Sequence, residues 1–231
     1  MDSELSLIES ILVVAIPAIL AITLHEAAHG FIALACGDPT AKEHGRLSLN
    51  PIRHVDLFGT ILLPAMLKLA GSPFVMGWAK PVPVDFGRLR NPRLGMVWVA
   101  LAGPGMNIAL ALVWALLFHA VDLVPENGQI FAAEMIKNGF FINVFLAVFN
   151  MIPLPPLDGG RVAVGLLPLP LARRLARTEK YGILLLLGVL IALPWLGSQI
   201  GVNLDLFAWT ILPIADAVVQ IIATVTGLTS G

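Results

Sequence analysis

The amino-acid sequence predicts an all-α polytopic membrane protein: a bundle of about five transmembrane helices, one partial re-entrant segment, and short β-strands in the 40–90 region. Two observations favour this fold class. Hydrophobic residues make up 58% of the 231 residues and charged residues only 13%, and the mean hydropathy of +0.88 is well above that of an ordinary soluble domain. The apolar residues are also grouped into runs long enough to cross a bilayer.

The apolar runs place the helices in order along the chain. A hydrocarbon layer of about 30 Å needs about 20 apolar residues in a helix. The predicted spans are Leu5–Ala35, Leu94–Val121, Met135–Ile152, Gly182–Leu196 and Leu206–Val225. The run from Leu57 to Ala70 would rise only about 21 Å as a helix. It is therefore predicted to enter the membrane and to return on the same side.

The remaining segments are polar and rich in turn residues. The alternating pattern Gly45-Arg46-Leu47-Ser48-Leu49 favours short strands. The stretch from Trp78 to Asn91 is predicted to be a loop. None of these segments is long enough to form a soluble domain, so residues 1–231 are predicted to form one domain. Its catalytic core covers about residues 5–180, and accessory C-terminal helices cover about residues 181–226.

Charge and cysteine content narrow the possible functions. A net charge of −1 gives no indication of nucleic-acid binding. The one cysteine, Cys36, excludes an internal disulfide and a cysteine-based zinc site. The N-terminus is acidic and lacks the basic segment of a cleavable signal, so the first apolar run is predicted to be retained. The sequence leaves the oligomeric state open.

The motif His25-Glu26-Ala27-Ala28-His29 lies near the end of the first apolar run. On a helix, the two histidines lie on one face, where both can bind one zinc ion, and Glu26 is placed to act as a general base. Polar groups at membrane depth are costly and indicate a function. The alternative is a pair of interior histidines that are hydrogen-bonded to neighbouring helices, but it leaves Glu26 without a partner.

A second group of residues, from Asn150 to Arg161, contains Pro153, Pro155, Pro156 and then Asp158-Gly159-Gly160. A catalytic zinc ion needs three protein ligands and an open position, and Asp158 is the best candidate for the third ligand. The prolines prevent a regular helix before it. The alternative is an ordinary helix start, with Asp158 as the cap.

These motifs resemble those of the site-2 protease family of intramembrane zinc metalloproteases. The matching features, in the order of that family, are His25 to His29, the Gly103-Pro104-Gly105-Met106-Asn107 element, and Asn150 to Gly159. The chain is similar to the compact prokaryotic branch, without a PDZ or CBS domain. The resemblance implies a zinc metalloendopeptidase that holds one Zn²⁺ through His25, His29 and Asp158. It implies hydrolysis of peptide bonds within or near the transmembrane segments of membrane-anchored proteins.

The resemblance also suggests roles for other residues. It places Asn150 near the metal, where its amide could hydrogen-bond the scissile carbonyl or the oxyanion. Asn107 could act in the same way, or it could only form a hydrogen bond between packed helices. The strand-like segments are expected to pair edge-on with an unwound substrate through Gly45, Leu47, Leu49, Val82 and Val84. His54 is interpreted either as a solvated loop histidine, which we favour, or as a gate near the zinc ion.

The zinc ligands also constrain the topology. His25 and Asp158 must lie at one depth, so the first span and the span from Met135 must cross in the same direction. Most basic loop residues then face the side that bears the zinc site, and the positive-inside rule makes that side cytoplasmic. We expect a multi-pass protein of a prokaryotic cell membrane, with the lipid bilayer and a transmembrane protein substrate as partners. The C-terminus is expected to be cytoplasmic.

Two other functions are compatible with this fold class. One is a catalytically idle membrane scaffold or chaperone, which usually lacks a metal ligand or the base; neither is missing here. The other is a metal transporter, which usually needs polar groups on both sides of the midplane. The distal halves of these spans are nearly free of such groups.

Overall fold

The computed structural model describes residues 5–62, 66, 69 and 80–228. The α-helices in this part of the chain are α1 Leu7–Ala35, α2 Thr40–Glu43, α3 Pro92–Phe118, α4 Glu126–Asn150, α5 Asp158–Leu166, α6 Leu169–Ala176, α7 Gly182–Leu187, α8 Leu193–Gln199 and α9 Leu206–Thr226. Short 3₁₀ turns cover Pro51–Arg53, Phe86–Arg88, Val121–Leu123 and Glu179–Tyr181, and π-helical turns cover Leu57–Leu62 and Gly188–Ala192.

Within the described residues, five helical stretches are long and apolar enough to cross a membrane. They are Leu7–Ala35, Pro92–Phe118, Glu126–Asn150, Leu169–Gln199 and Leu206–Thr226. The chain is therefore a multi-pass, helical membrane protein. The third and fourth stretches begin 9 and 13 residues earlier than predicted, at Glu126 and Leu169, because each starts with a helical segment that contains charged residues and so is not part of an apolar run.

Local sequence explains where the core helices begin. Ser6 caps α1, and Glu9 bonds back to the Ser6 backbone N–H at 2.8 Å, which completes a capping box. Asn91 caps α3, and Pro92 occupies its first turn. Helix α4 follows a short connection after α3, as expected for an antiparallel pair.

Helices α1, α3 and α4 pack against one another and form the centre of the molecule. The Arg90 backbone N–H donates to the Cys36 carbonyl at 3.0 Å, which joins the start of α3 to the end of α1. Helix α3 therefore runs opposite to α1, and α4 runs in the same direction as α1. This is the arrangement that brings a residue following α4 level with the end of α1.

The C-terminus lies at the other end of the bundle, so its predicted position on the side of the metal centre is wrong. His119, which follows α3, donates from Nε2 to the Thr226 carbonyl at 2.7 Å. Phe207, at the start of α9, lies against Phe149 near the end of α4, with ring centroids 6.4 Å apart. Gly182 packs against Pro155. The chain from Gly182 to Phe207 thus begins and ends near the same end of the bundle, and α9 runs parallel to α3.

The predicted β-strands are absent from the described residues of the 40–90 region. Between Lys80 and Asp85 the backbone bonds largely to side chains: Val82 N–H to Glu26, Asp85 N–H to Asp38, and the carbonyls of Lys80 and Pro81 to the Arg46 guanidinium. Prolines 81 and 83 also remove two donors. The alternating pattern therefore does not lead to a ladder. The predicted re-entrant segment, 57–70, is described only at residues 57–62, 66 and 69, so its return to the same side of the membrane stays a prediction.

Candidate metal centre

The three predicted metal ligands converge at the end of α1. His25 and His29 lie one turn apart on α1, and Asp158 is the first residue of α5; all three are buried. The Nε2 atoms of the histidines are 3.1 Å apart. Asp158 Oδ2 lies 3.2 Å from His25 Nε2 and 3.4 Å from His29 Nε2. Among the described residues, this is the one group of three such side chains.

The hydrogen bonds of the two rings show that the converging atoms are all acceptors. His29 Nδ1 lies 2.6 Å from the Val99 carbonyl, and His25 Nδ1 lies 2.6 Å from Asn107 Oδ1. Oxygen atoms of this kind only accept, so both Nδ1 atoms carry a proton, and in the neutral form of each ring, the form that binds a metal, Nε2 is bare. Asp158 Oδ2 is also buried, and within the described structure it has no hydrogen-bond donor.

Three buried acceptors facing one point require a cation. The ligand atoms of a tetrahedral zinc ion, at about 2.0–2.2 Å from the metal, are separated by about 3.3 Å. The observed separations of 3.1, 3.2 and 3.4 Å agree with that value. The two imidazoles and the carboxylate also match the donor set of a catalytic zinc site with one open position. The residues fit zinc.

Gly103 on α3 leaves room for the ion. A β-carbon at this position would lie 2.5 Å from His29 Nε2 and 2.6 Å from His25 Nε2. It would therefore occupy the space toward which both nitrogens point. Gly105, two residues later, has no atom within 4 Å of its own hypothetical β-carbon. Of these two glycines, only Gly103 is required by the site.

The linker between α4 and α5 places Asp158 by close packing. A β-carbon at Gly159 would lie 2.2 Å from the Met151 carbonyl oxygen, and one at Gly160 would lie 2.2 Å from the Pro155 nitrogen. The two glycines let the start of α5 fold back onto the proline-containing linker, which includes a cis bond between Pro155 and Pro156. The fold-back turns the Asp158 carboxylate toward α1.

The Glu26 side chain is bonded to the segment before α3 that contains Val82. The Val82 backbone N–H donates to Glu26 Oε2 at 2.8 Å. The side chains of Val82 and Leu47 face Gly30 on α1, where a β-carbon would lie 3.0 and 3.1 Å from them. The predicted base is thus in contact with the predicted substrate-binding segment.

Asp38 anchors the same segment at its other end. Its buried carboxylate accepts from the Asp85 N–H at 2.7 Å, from the Thr40 N–H at 2.9 Å, and from the Thr40 hydroxyl. Burial alone raises the pKa of Asp38, but these hydrogen bonds and the positive charge of Arg88 outweigh it and hold the pKa below its ordinary value. Asp38 is therefore a charged, fully bonded tether.

The two predicted catalytic asparagines, Asn107 and Asn150, lie in different environments. Asn107 is fully buried, and its Nδ2 donates to Asn143 at 2.9 Å and lies 3.4 Å from the Ala21 carbonyl. The geometry favours the interhelical interpretation, with His25 as the partner of its oxygen. Asn150 ends α4 and donates to the Leu146 carbonyl at 3.0 Å.

The other members of the proposed substrate-binding set lie on different surfaces. Val84 packs beside Ala33 and Leu89, whereas Leu49 is 60% exposed. Gly45 has a positive φ of 61°, and its carbonyl accepts from Arg53. None of these contacts is with the metal ligands.

His54 is not solvated, so the favoured interpretation of this residue is wrong. The side chain is buried, its Nε2 donates to the Ser48 carbonyl at 2.8 Å, and its own carbonyl accepts from the Lys80 N–H. These two hydrogen bonds join His54 to the segments at Ser48 and Lys80. The charged residues Arg53 and Asp56 nearby in the sequence suggested exposure.

Sequence reasoning missed Asn143 and Asp38. An asparagine inside the apolar run of α4 is costly in a membrane unless it is bonded, so its position was a usable signal. Asp38 gave a weaker signal, because an aspartate after a glycine is common in turns.

A cavity of about 770 Å³ lies between α3, α4 and α9. It is lined almost entirely by apolar side chains, among them Pro104, Ala147, Ile152 and Ile211. Its walls include Gly105, close to Gly103, and the linker that leads to Asp158. None of its lining residues is a metal ligand.

The fold and the site together define a class: a multi-pass membrane metalloprotein in which a later helix supplies an aspartate to complete an HExxH centre. A family model described as Peptidase family M50 matches residues 124–194. A Bacillus subtilis protein named "Putative zinc metalloprotease YwhC" is 40% identical over 190 residues, which cover 79% of this chain and 80% of that protein. The chain belongs to peptidase family M50, the site-2 protease family.

Two further relatives carry the same kind of name. Rip2 of Mycobacterium tuberculosis is 30% identical over 193 residues, covering 82% of this chain and 70% of that protein. MJ0611 of Methanocaldococcus jannaschii is 47% identical over 103 residues, covering 44% of this chain and 49% of that protein. No solved structure matches the chain.

Proposed function

We propose that this protein is an intramembrane zinc endopeptidase that cuts peptide bonds within or near transmembrane segments of membrane-anchored proteins. One observation carries the proposal: the Nε2 atoms of His25 and His29 and the Asp158 carboxylate oxygen lie within 3.4 Å of one another. The two histidines and Glu26 lie on α1, a helix apolar enough to cross a membrane. The names of the relatives support zinc as the metal and proteolysis as the reaction.

The residues divide the chemistry between them. Zinc bound by His25, His29 and Asp158 would supply Lewis-acid polarisation and a water of lowered pKa. The Glu26 carboxylate accepts the proton of the attacking water and later delivers it to the leaving amine. Asn150 donates a hydrogen bond to the oxyanion, a contact whose loss costs roughly 10- to 1000-fold in rate.

The surroundings support a membrane-embedded substrate. The apolar cavity between α3, α4 and α9 suits the side chains of a transmembrane segment, and the Val82 backbone lies within hydrogen-bonding distance of Glu26. The basic loop residues near the ends of α1 and α4 favour a cytoplasmic active site in a prokaryotic cell membrane. Residues 5–180 would form the catalytic core of a single domain, and residues 181–226 its accessory part.

The test compares wild type with Glu26→Gln, because an amide cannot accept the proton of water. Both proteins are expressed in matched cells, zinc is measured in the purified proteins, and the new N-termini of membrane proteins are compared. We expect near-equimolar zinc in both and new N-termini only with wild type. Identical sets of N-termini in the two strains, with zinc present in both proteins, would refute the proposal.

A further inference from the structure

We propose that Asn143 is a positioning residue for the metal centre: acting through Asn107, it fixes which nitrogen of His25 faces the metal. Asn143 and Asn107 are completely buried, although both lie in apolar helices. The proposal rests on zinc as the bound metal, but it does not depend on peptidase activity.

The argument starts from a backbone carbonyl on α4. The Gly139 carbonyl oxygen can only accept, and it lies 2.8 Å from the Asn143 amide. The atom that faces it must therefore be Nδ2. This orientation turns Asn143 Oδ1 toward α3, where it lies 2.9 Å from the Asn107 amide.

The same logic fixes the second amide. Since Asn143 presents an oxygen, Asn107 must present its Nδ2 there. The Ala21 carbonyl, 3.4 Å from the same Nδ2, agrees with this assignment. Asn107 Oδ1 then faces His25 Nδ1 at 2.6 Å.

The last step sets the histidine. An amide oxygen accepts, so His25 carries its proton on Nδ1 and leaves Nε2 free for the metal. His29 reaches the same state directly, because its Nδ1 donates to the Val99 carbonyl. A backbone carbonyl thus fixes the tautomer of each histidine. The Val99 carbonyl acts on His29 directly, and the Gly139 carbonyl acts on His25 through the amides of Asn143 and Asn107.

We call the hydrogen bonds from Gly139 through Asn143 and Asn107 to His25 the relay. Without Asn143, only the longer 3.4 Å contact with the Ala21 carbonyl would still orient the Asn107 amide. The Asn107 amide could then rotate and present Nδ2 to His25, which would move the ring proton to Nε2. That tautomer cannot bind zinc through the nitrogen that faces Asp158. Groups that orient a metal-bound histidine typically change metal affinity roughly 10- to 100-fold when removed.

The first experiment measures zinc affinity of the purified protein in detergent by competition with a chromophoric chelator. Asn143→Ala is expected to weaken zinc binding roughly 10- to 100-fold. Val144→Ala is the matched control, since Val144 is the next residue on α4, equally buried, and packed in the apolar core away from the relay. Wild-type affinity in Asn143→Ala, or an equal loss in Val144→Ala, would overturn the proposal.

A double-mutant cycle tests whether Asn143 acts through Asn107. The effect of Asn143→Ala should vanish in an Asn107→Ala background, because the intermediary is then missing. Additive losses would contradict the relay. The buried carboxyl of Asn143→Asp is expected to be protonated, so it can still donate to the Gly139 carbonyl and present an oxygen to Asn107. It should therefore retain zinc affinity within about threefold of wild type, well inside the loss typical of such groups, and it also serves if Asn143→Ala does not fold. A loss in Asn143→Asp as large as that expected for Asn143→Ala would overturn the proposal.

Cobalt(II) gives a readout that a general loss of stability does not produce. The visible absorption of Co²⁺ reports its coordination, so Asn143→Ala saturated with Co²⁺ should show an altered band, whereas Val144→Ala should match wild type. Identical spectra for all three proteins would count against a changed His25 ligand. Every measurement here concerns metal binding, so a failure of the relay can be told apart from a failure of the proposed protease function.

Discussion

Val82 donates its backbone N–H to Glu26 across 2.8 Å, which joins the segment before α3 to the helix that carries both histidines. A carboxylate that accepts such a charge-assisted bond is held in one orientation. The contact therefore fixes the orientation of the Glu26 carboxylate. It also brings the backbone of the segment before α3 within hydrogen-bonding distance of Glu26.

Removing this donor should slow cleavage without removing the metal. Val82→Pro deletes the N–H, and we expect a loss of roughly 10- to 100-fold in cleavage rate because the base is misplaced. Val82→Ala keeps the N–H and trims only the side chain, so it serves as the control. Cleavage by Val82→Pro at the rate of Val82→Ala, with equal zinc content, would contradict this role.

Gly103 and Gly105 provide a matched pair on α3. Gly103→Ala should abolish stoichiometric zinc binding, because the methyl group would lie 2.5 Å from His29 Nε2. Gly105→Ala meets open space and should gain up to about 1 kcal/mol in helix stability. Metal analysis and thermal unfolding of the two variants check both expectations. Full zinc occupancy in Gly103→Ala would show that the ion lies elsewhere.

Asp38 predicts a pH dependence. Because its pKa is lowered in the folded protein, its stabilisation is fully present above the unfolded pKa of about 3.9 and is lost as the pH falls through the lower folded value. The difference in Tm between wild type and Asp38→Asn should thus be constant above about pH 5 and shrink below about pH 4. A Tm difference that increased as the pH was lowered would contradict a lowered pKa for Asp38 in the folded protein.

The orientation in the membrane can be tested by labelling. In a Cys36→Ala background, single cysteines at Lys42 and Arg90 should react with an impermeant thiol reagent only after the cytoplasmic face is opened. A cysteine at Asn127, at the other end of the bundle, should react in intact cells. All three positions are exposed. The reverse pattern would place the metal centre on the outer side.

The sequence was most informative where a residue type was costly in its setting. Histidines and an aspartate in apolar surroundings predicted a convergent group, and the structure brings their ligand atoms together. Asn143 was equally costly but remained unassigned, because its value depends on Asn107, which lies on another helix. A pairwise contact of this kind has no local pattern.

The strands failed for a related reason. The alternation near Leu47 describes which side chains face inward, and Leu47 does turn toward Gly30. However, a ladder also needs backbone partners, and in the second predicted strand segment the backbone groups of Lys80, Val82 and Asp85 bond to the side chains of Arg46, Glu26 and Asp38 instead. The direction of α9 was missed because an apolar run gives length but not the path of its neighbours.

The three metal ligands do not all enter the membrane at the same time, because Asp158 occurs far from the two histidines along the chain. Two imidazoles arrive with α1, but the carboxylate of Asp158 follows α3 and α4. A nascent chain that has inserted only α1 and α3 therefore carries an incomplete centre, with two of its three ligands. The centre is completed only when α4 and the first residue of α5 have followed, so a chain that is cut short before Asp158 lacks the third ligand however well its first helices pack.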